Sequence, residues 1–252
     1  MEKCILCNGE AKFVFQKKML QKYNVNYYQC HTCGALYTEK PYWLNEAYSS
    51  AIANIDTGIM QRNLEDRWVV GSLIKFFYNI HGNFLDYGSG YGIFVRLMRD
   101  LGLNFYWFDK FAEPLVCKGF EYDNQEINLI TAFELFEHFD NPQVQIDEIM
   151  TISKEVLFST VCYSDAFELP DENWWYYSLD SGQHIIFYSR ETLKYIAKKY
   201  KLNYYQINNI HWFTSRKVNP VLIKVLAFYL RKCKKFDYGY AVQDMENLLK
   251  NK

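Results

Sequence analysis

Two pairs of cysteines near the start of the chain have the spacing of a metal site. Cys4 and Cys7 form one C-x-x-C pair, Cys30 and Cys33 form another, and 22 residues separate the two pairs. Two thiolates at this spacing can bind one metal ion, and a second pair completes the tetrahedral set that zinc prefers. Gly34 suits the tight turn after the second pair. Because a redox site needs only one such pair, the sequence predicts structural zinc on all four cysteines.

A second candidate site is a glycine-rich turn between an apolar run and a helical pattern. Residues 84–92 read Phe-Leu-Asp-Tyr-Gly-Ser-Gly-Tyr-Gly, and Asp109 ends the next apolar run 17 residues later. Such a turn lets the backbone approach a ligand closely, and an acid at the end of the next parallel strand is placed for a ribose diol. Asp86 would be unfavourable beside a pyrophosphate, but it suits a cofactor that carries an ammonium and a sulfonium.

A third candidate is the motif E-x-x-E-H formed by Glu134, Glu137 and His138. On a helix these three residues would share one face. They can bind a divalent cation, or they can supply a general base for an acceptor hydroxyl. In a purely structural role the acids would complement a helix N-terminus and the histidine would pack. His184, further along the chain, is a candidate general base, metal ligand or buried hydrogen-bonding group.

The elements that must position these residues follow from apolar periodicity. The chain has 252 residues, of which 50% are hydrophobic and 19% aromatic, enough for a packed core. From residue 84 onward strands and helices alternate, which predicts a parallel sheet covered on both faces. The predicted strands are 12–15, 26–29, 36–38, 105–108, 129–132 and 156–161; the predicted helices lie within 42–80, at 93–101 and at 190–200, the last capped by Ser189.

The motifs between residues 84 and 215 resemble, in order, those of class I S-adenosylmethionine-dependent methyltransferases. The resemblance implies a Rossmann-like α/β three-layer sandwich with a mostly parallel seven-stranded sheet, preceded here by a small zinc-ribbon-like module. It also implies a cofactor site, whose residues are Asp86, Gly88, Gly90 and Gly92 around the methionine moiety, Asp109 on the ribose hydroxyls, and Phe133 and Arg62 nearby. Arg62 could clamp the carboxylate of the cofactor, or it could be an ordinary arginine on a helix surface. The region between Asp109 and Ile127 is short for a crossover and a third strand, and Tyr122 and Asp123 are the candidates for the adenine pocket.

Two narrower resemblances concern the acceptor. Ubiquinone-biosynthesis O-methyltransferases and small-RNA 2′-O-methyltransferases look similar at E-x-x-E-H, which implies a possible second divalent metal at Glu134, Glu137 and His138. The run Trp-Trp-Tyr-Tyr at 174–177, followed by G-Q-H-x-x-F-Y-S at 182–189, resembles the acceptor-side insertion of bacterial methyltransferases with a zinc module in sugar or glycan pathways. Aromatic faces suit sugar rings by stacking, although these residues can equally be core.

These observations predict a methyltransferase that acts on a small-molecule or glycan acceptor, with catalytic residues Glu134, Glu137, His138 and His184. An RNA-directed methyltransferase and a non-catalytic cofactor-binding zinc protein are the alternatives. A net charge of −1 counts against nucleic acid as a partner. The start of the chain lacks a signal-peptide pattern and no apolar run is long enough to span a membrane, so we expect a cytoplasmic protein.

The predicted domain organisation has four parts: a zinc module at 1–40, a helical linker at 41–80, the methyltransferase domain at 81–219 and a helical extension at 220–252. The zinc is expected to lie far from the chemistry, so its loss should lower stability before activity. In the extension, an apolar run at 221–230 precedes a basic cluster. This pattern is typical either of a helix packed on the domain or of one that lies on a membrane surface or binds an acidic partner.

Overall fold

The structure is a computed structural model that describes residues 2–48, 58–207 and 209–232. The chain divides into two compact units. The first unit comprises Met1–Ala53, Glu134–Lys154 and Phe158–Ser215, and the second comprises Asn54–Phe133, Glu155–Leu157 and Arg216–Lys252.

A five-stranded antiparallel sheet forms the framework of the first unit. Its strands follow the order β1-β2-β3-β4-β9, with bounds Glu2–Lys3, Glu10–Met19, Tyr23–Cys30, Leu36–Thr38 and Ile186–Phe187. The turn between β2 and β3 has positive φ at Leu20 and Gln21, 51° and 54°, which matches the twist of a tight hairpin. Val25 and Tyr27 point to the buried side of β3, because side chains alternate along a strand. They belong to an aromatic-rich core that includes Trp43 and Phe187.

The rest of the first unit consists of short helices and one hairpin. The helices are α1 (Leu44–Ala47), α4 (Pro142–Ile152), α5 (Arg190–Lys199) and two single 3₁₀ turns at Phe136–His138 and Trp175–Tyr177. The hairpin is antiparallel and joins β10 (Asn203–Ile207) to β11 (Ile210–Thr214). Ser189 caps α5, since its side chain accepts from the backbone N–H of Thr192.

The second unit has the alternating pattern that the sequence predicts. Its elements are α2 (Ile59–Phe77), β5 (Asn83–Tyr87), α3 (Ile93–Arg99), β6 (Asn104–Phe108), β7 (Leu129–Ala132) and α6 (Pro220–Lys232). Strand β5 pairs in parallel with both β6 and β7. Strand β8 (Val156–Ser159) has residues in each unit. The sheet to which these strands belong has the order β10-β11-β8-β7-β5-β6.

The prediction of seven strands in this sheet is wrong for the described residues, which supply six. Residues 109–128 are all described and contain neither a helix nor a strand. In place of a third strand, Glu121 forms one isolated parallel bridge with Trp107. The segment is too short for a full crossover.

Two further predictions meet the limits of the described residues. The helical stretch at 42–80 contains α1 and α2, and residues 49–57 between them lie outside the described residues. The extension begins with α6, and residues 233–252, including Lys234 and Lys235 of the basic cluster, also lie outside them. The four-part domain division therefore stays a prediction.

Candidate functional site

The glycine-rich turn directly follows β5 and opens α3. Gly88, Gly90 and Gly92 all have positive φ, at 80°, 55° and 82°, a conformation that glycine adopts without strain. A Cβ atom at Gly90 would meet no protein atom within 4 Å, whereas one at Gly92 would lie 2.2 Å from Sγ of Cys117. Gly92 is therefore required by packing. Gly90 leaves open space beside the backbone, as a turn that holds a ligand should.

Asp109 fastens this turn to the end of β6. Its Oδ2 accepts a hydrogen bond from the backbone N–H of Gly90 at 2.8 Å. Its Oδ1 accepts from the N–H groups of Phe111 and Ala112, each at 2.8 Å. The acid that the sequence assigns to a ribose thus also organises the glycine turn and the loop that follows β6.

Asp86 lies inside the sheet, with only 4% of its surface exposed. The hydroxyl of Thr131 donates to its Oδ1 at 2.6 Å. Burial raises the pKa of the Asp86 carboxyl to about 7, and the nearby charge of Asp109 acts in the same direction. Its observed partner is a strand residue, so a direct contact with a methionine moiety stays a prediction.

The contacts of the other predicted cofactor residues do not indicate a role in binding. Phe133 follows β7, is half-buried and packs edge-on against Phe94 at 5.0 Å between ring centroids. Arg62 lies half-buried in the first turn of α2. Tyr122 is half-buried and Asp123 is exposed in the segment that replaces the third strand. Their roles in cofactor binding stay predictions.

The E-x-x-E-H motif does not form the helical face that its spacing predicts. Glu134 has φ of 47° and precedes the 3₁₀ turn that holds Glu137 and His138. The Glu134 carboxylate accepts from the hydroxyl of Ser159 at 2.6 Å, and that hydroxyl in turn accepts from the Glu134 N–H at 2.8 Å. Glu134 is therefore hydrogen-bonded to β8, whereas Glu137 and His138 lie together in the 3₁₀ turn.

Glu137 is fully buried, and its two carboxylate oxygens differ in their hydrogen bonding. Its Oε1 accepts a 2.6 Å hydrogen bond from the Tyr176 hydroxyl. Among the described residues, its Oε2 makes no hydrogen bond of normal geometry, although an interaction with the Thr160 side chain lowers the pKa of Glu137 in part. Burial, and then the charge of Glu134, raise the pKa of Glu137 to about 8. A buried carboxylate oxygen without a partner is costly, and it marks a place where a proton or a cation would be stabilised.

His138 and His184 complete a three-residue cluster with Glu137. One potential ligand atom from each residue lies within 4.8 Å of the others, and the two imidazole centroids are 5.0 Å apart. His184 therefore lies beside His138, and the catalytic roles of both stay predictions. The structure thus groups Glu137 with two histidines, whereas the sequence grouped it with Glu134 and His138.

Backbone and tyrosine partners orient both histidines. Nδ1 of His184 lies 2.8 Å from the carbonyl oxygen of Tyr176, and since a carbonyl only accepts, Nδ1 carries the proton and Nε2 is the acceptor. Nδ1 of His138 lies 2.9 Å from the Tyr48 hydroxyl. Burial and the neighbouring His184 lower the pKa of His138 to about 3, although a hydrogen bond with the backbone of Gln183 opposes this. Sequence reasoning missed Tyr48, which belongs to no motif.

The four cysteines converge as their spacing predicts. Sγ of Cys4 lies 3.7 Å from Sγ of Cys33, and Sγ of Cys7 lies 3.5 Å from Sγ of Cys30. Four sulfurs at about 2.3 Å from a tetrahedral zinc would be about 3.8 Å apart. Backbone N–H groups of Leu6, Gly9 and Thr32 point at three of these sulfurs, at 3.3 to 3.4 Å, as in a knuckle that binds metal. The residues therefore fit a metal ion of zinc's size and ligand preference.

The cysteine sheet is connected to the Glu137 cluster by backbone hydrogen bonds. Strand β4 pairs with β9, which begins two residues after His184. The N–H of Thr38 donates to the carbonyl of Ile185, whose own N–H donates to the carbonyl of Glu137. Backbone hydrogen bonds therefore link the sheet that carries Cys30 to the segment that carries His184, while the expectation that the zinc lies far from the chemistry stays a prediction.

Sequence comparison now assigns the family. A family model described as a methyltransferase domain matches residues 60–207, more than half of the chain. The chain belongs to this methyltransferase family. No curated protein has a significantly similar sequence.

Several solved methyltransferase structures are similar to this chain at low sequence identity and with TM-scores below 0.5. Magnesium protoporphyrin IX methyltransferase from Synechocystis PCC 6803 with bound SAH is 10% identical, with 68% of this chain and 93% of that chain covered and a TM-score of 0.46. The plantazolicin methyltransferase in complex with SAH is 13% identical, with 77% and 86% covered and a TM-score of 0.45. Human N-acetylserotonin methyltransferase in complex with SAM is 12% identical, with 69% and 66% covered and a TM-score of 0.42. Identities this low do not transfer a substrate from one protein to another.

None of the described helices is long and apolar enough to cross a membrane.

Proposed function

We propose that this methyltransferase transfers the methyl group of S-adenosylmethionine to a small acceptor that loses a proton to the Glu137, His138 and His184 cluster. The observation that carries the proposal is the buried, half-satisfied Glu137 beside two oriented histidines. Methyl transfer needs a positioned acceptor and a group that removes its proton.

The glycine turn would hold the donor, which supplies an electrophilic methyl group when bound. A Cβ at Gly90 meets only open space, so the backbone there is accessible to a ligand. Asp109 holds the N–H of Gly90 and therefore fixes the turn before any ligand arrives. Such preorganisation lowers the ordering cost of binding.

The cluster offers two proton acceptors. The pKa of Glu137 is raised to about 8, so its carboxylate is the minor form at neutral pH, and its contribution as a general base should grow as the pH rises towards 8. Nε2 of His184 is an acceptor because Nδ1 donates to the Tyr176 carbonyl. An acceptor hydroxyl that reaches the Glu137 carboxylate or Nε2 of His184 would lose its proton to that group as the hydroxyl oxygen attacks the methyl group.

The same three residues also suit a divalent cation, which is the second mechanism for this site. Two histidines and one carboxylate are a common ligand set. Glu137 and His184 also have the outer hydrogen bonds that orient metal ligands, both through Tyr176. Chelation separates the two mechanisms, because a base needs no metal.

Two further parts of the proposal concern zinc and the acceptor class. Zinc on the four cysteines is supported by sulfur separations that fit a tetrahedral site. A sugar-containing acceptor is supported by Trp175, whose side chain is 73% exposed and packs edge-on against Tyr176, the residue that donates to Glu137. An exposed indole suits the apolar face of a sugar ring.

The experiment measures cofactor affinity and turnover separately. Gly90→Val should weaken S-adenosylmethionine binding about tenfold or more, because the side chain fills the open space beside the turn. The matched control is Gly102→Val, at a glycine outside the turn that also has a positive φ, of 78°, so that it too carries backbone strain and should keep the affinity. Calorimetry measures both, with melting temperatures to confirm folding.

Glu137→Gln should instead preserve cofactor affinity and slow labelled-methyl transfer to a panel of nucleotide sugars by roughly 10²–10⁴-fold. Glu191→Gln, an exposed acid on α5, is the control. Loss of activity in EDTA that Mg²⁺ or Mn²⁺ restores would select the cation mechanism. Wild-type affinity in Gly90→Val, or wild-type turnover in Glu137→Gln, would refute the corresponding half of the proposal.

A further inference from the structure

The C-terminal part of the chain concentrates positive charge around an apolar helix. Residues 216–235 contain seven of the 28 lysines and arginines and none of the 29 acids: Arg216, Lys217, Lys224, Arg231, Lys232, Lys234 and Lys235. Because the whole chain has a net charge of −1, the remainder is acidic. A basic segment of this kind within an acidic protein indicates a local anionic partner.

Helix α6 begins inside this segment, and the residues at its N-terminus favour a helix start. Asn219 precedes it, with Oδ1 accepting from the N–H of Val221 at 2.9 Å, and Pro220 occupies its first position. Ile223 is buried on one side, where α6 contacts α2 within the second unit. A surface helix normally turns its apolar side towards the core and leaves polar residues on the other side.

The other side of α6 is apolar and exposed. Val221, Val225 and Phe228 are 67%, 56% and 66% exposed. Their spacing of four and three residues places them in one row along the helix. Lys224 flanks this row and is exposed, and the sequence of the helix ends with Arg231 and Lys232. The row is an apolar stripe with a cationic group beside it.

We propose that this face of α6 docks on an anionic membrane surface. An interfacial helix buries an apolar stripe at the boundary of headgroups and acyl chains, while its lysines and arginines pair with anionic headgroups. At 13 residues, α6 is too short to span a bilayer, which needs about 20. A second copy of the chain is disfavoured as the occupant, since a two-fold contact would bring two cationic segments together.

The experiment is flotation of the full-length protein with vesicles of phosphatidylcholine, alone or with one third phosphatidylglycerol. Wild type should float with the anionic vesicles, weakly with the neutral ones, and less as salt rises. The double variant Val225→Ser, Phe228→Ser should bind about tenfold more weakly or worse. Lys217→Gln and Lys224→Gln should each cost about fivefold at low salt. Phe13→Ser, a 55% exposed phenylalanine on β2, is the control and should bind as wild type.

Several outcomes would overturn the proposal. Wild type that stays unbound, or a serine double variant that floats as well as wild type, excludes the apolar face as a membrane anchor. A dimer in sedimentation that the serine variant dissociates, without vesicle binding, would assign the face to a second copy. Binding of an RNA oligonucleotide that the lysine variants lose, without vesicle binding, would assign the charge to nucleic acid. Melting temperatures confirm that each variant folds.

Discussion

At the scale of residues, hydroxyl and carbonyl partners decide what the histidines can do. A neutral imidazole has one donor and one acceptor nitrogen, and the fixed partner of one nitrogen sets the role of the other. The Tyr176 carbonyl fixes His184 in this way, and the Tyr176 hydroxyl at the same time holds Glu137. One tyrosine therefore orients two members of the cluster, through its backbone and its side chain.

Tyr48 orients His138 as Tyr176 orients His184. Removing the Tyr48 hydroxyl should therefore slow turnover without changing cofactor affinity. Tyr48→Phe deletes the hydroxyl 2.9 Å from Nδ1 of His138, so the ring loses a partner that orients it. We expect methyl transfer to slow about tenfold, with a changed pH profile and unchanged cofactor affinity. Imidazole ¹⁵N shifts should report a change in the tautomer of His138.

Tyr42→Phe is the matched control for this prediction. Tyr42 is an exposed tyrosine in the same segment, with its ring against Tyr23 and Trp43. It should keep turnover, pH profile and imidazole shifts. Equal behaviour of Tyr48→Phe and Tyr42→Phe would show that Tyr48 does not position His138.

At the scale of elements, the first 48 residues are hydrogen-bonded to the loop that carries His184. Besides the pairing of β4 with β9, the indole N–H of Trp43 donates to the Gly182 carbonyl, and the side-chain amide of Gln183 donates to the Ala47 carbonyl. These bonds hold the loop that carries His184 from the side of the first 48 residues. The stability of the cysteine site should therefore be transmitted to the cluster.

Metal removal tests this connection. A strong chelator, or Cys30→Ser, should lower the melting temperature by about 10 °C or more, since structural zinc contributes several kcal/mol to folding. Methyl transfer should be lost in parallel, whereas calorimetry should still show S-adenosylmethionine binding, because the glycine turn lies in the second unit. Cys162→Ser, at a cysteine outside the four, is the control. Activity that survives chelation after zinc has been shown to leave would contradict the prediction.

The sequence predicted those elements whose signals are local. Strand β7 coincides with the predicted 129–132, and Ser189 caps α5 as predicted. Apolar runs and caps act within a few residues, so they can be read from the chain. The two-residue strand β9 has no such signal, because its pairing with β4 depends on residues some 150 positions away.

The candidate site was predictable in composition but not in arrangement. Spacing identified the four cysteines, the glycine turn and the E-x-x-E-H motif. It could not show that Glu134 adopts a positive φ and bonds Ser159, since a helical spacing says nothing about a backbone that leaves the helix. The contributions of Tyr48 and of the Tyr176 carbonyl likewise depend on tertiary packing.

At the scale of the whole molecule, the buried acids and the buried histidines make the stability of the fold depend on pH in opposite directions. Burial raises the pKa of Asp86 and Glu137 to about 7 and about 8, and lowers that of His138 and His211 to about 3 and about 4. The folded state therefore favours the neutral form of all four. The histidines contribute stability that is lost as pH falls below 6.5, and the acids contribute stability that is lost as pH rises towards 7 or 8.

The contribution of Asp86 can be isolated with an isosteric variant. Its folded-state pKa is raised from 3.8 to about 7, so its stabilisation is complete below 3.8 and declines as pH rises to 7. Asp86→Asn keeps an oxygen for the Thr131 hydroxyl and cannot ionise. Relative to wild type, its free energy of unfolding should therefore increase by about 1.4 kcal/mol per pH unit between pH 4 and 7, then level off.

Urea unfolding of the cofactor-free protein at several pH values measures the difference, with Asp180→Asn, at an exposed aspartate, as the control. A difference that does not change with pH would show that Asp86 is already ionised throughout this range in the folded protein.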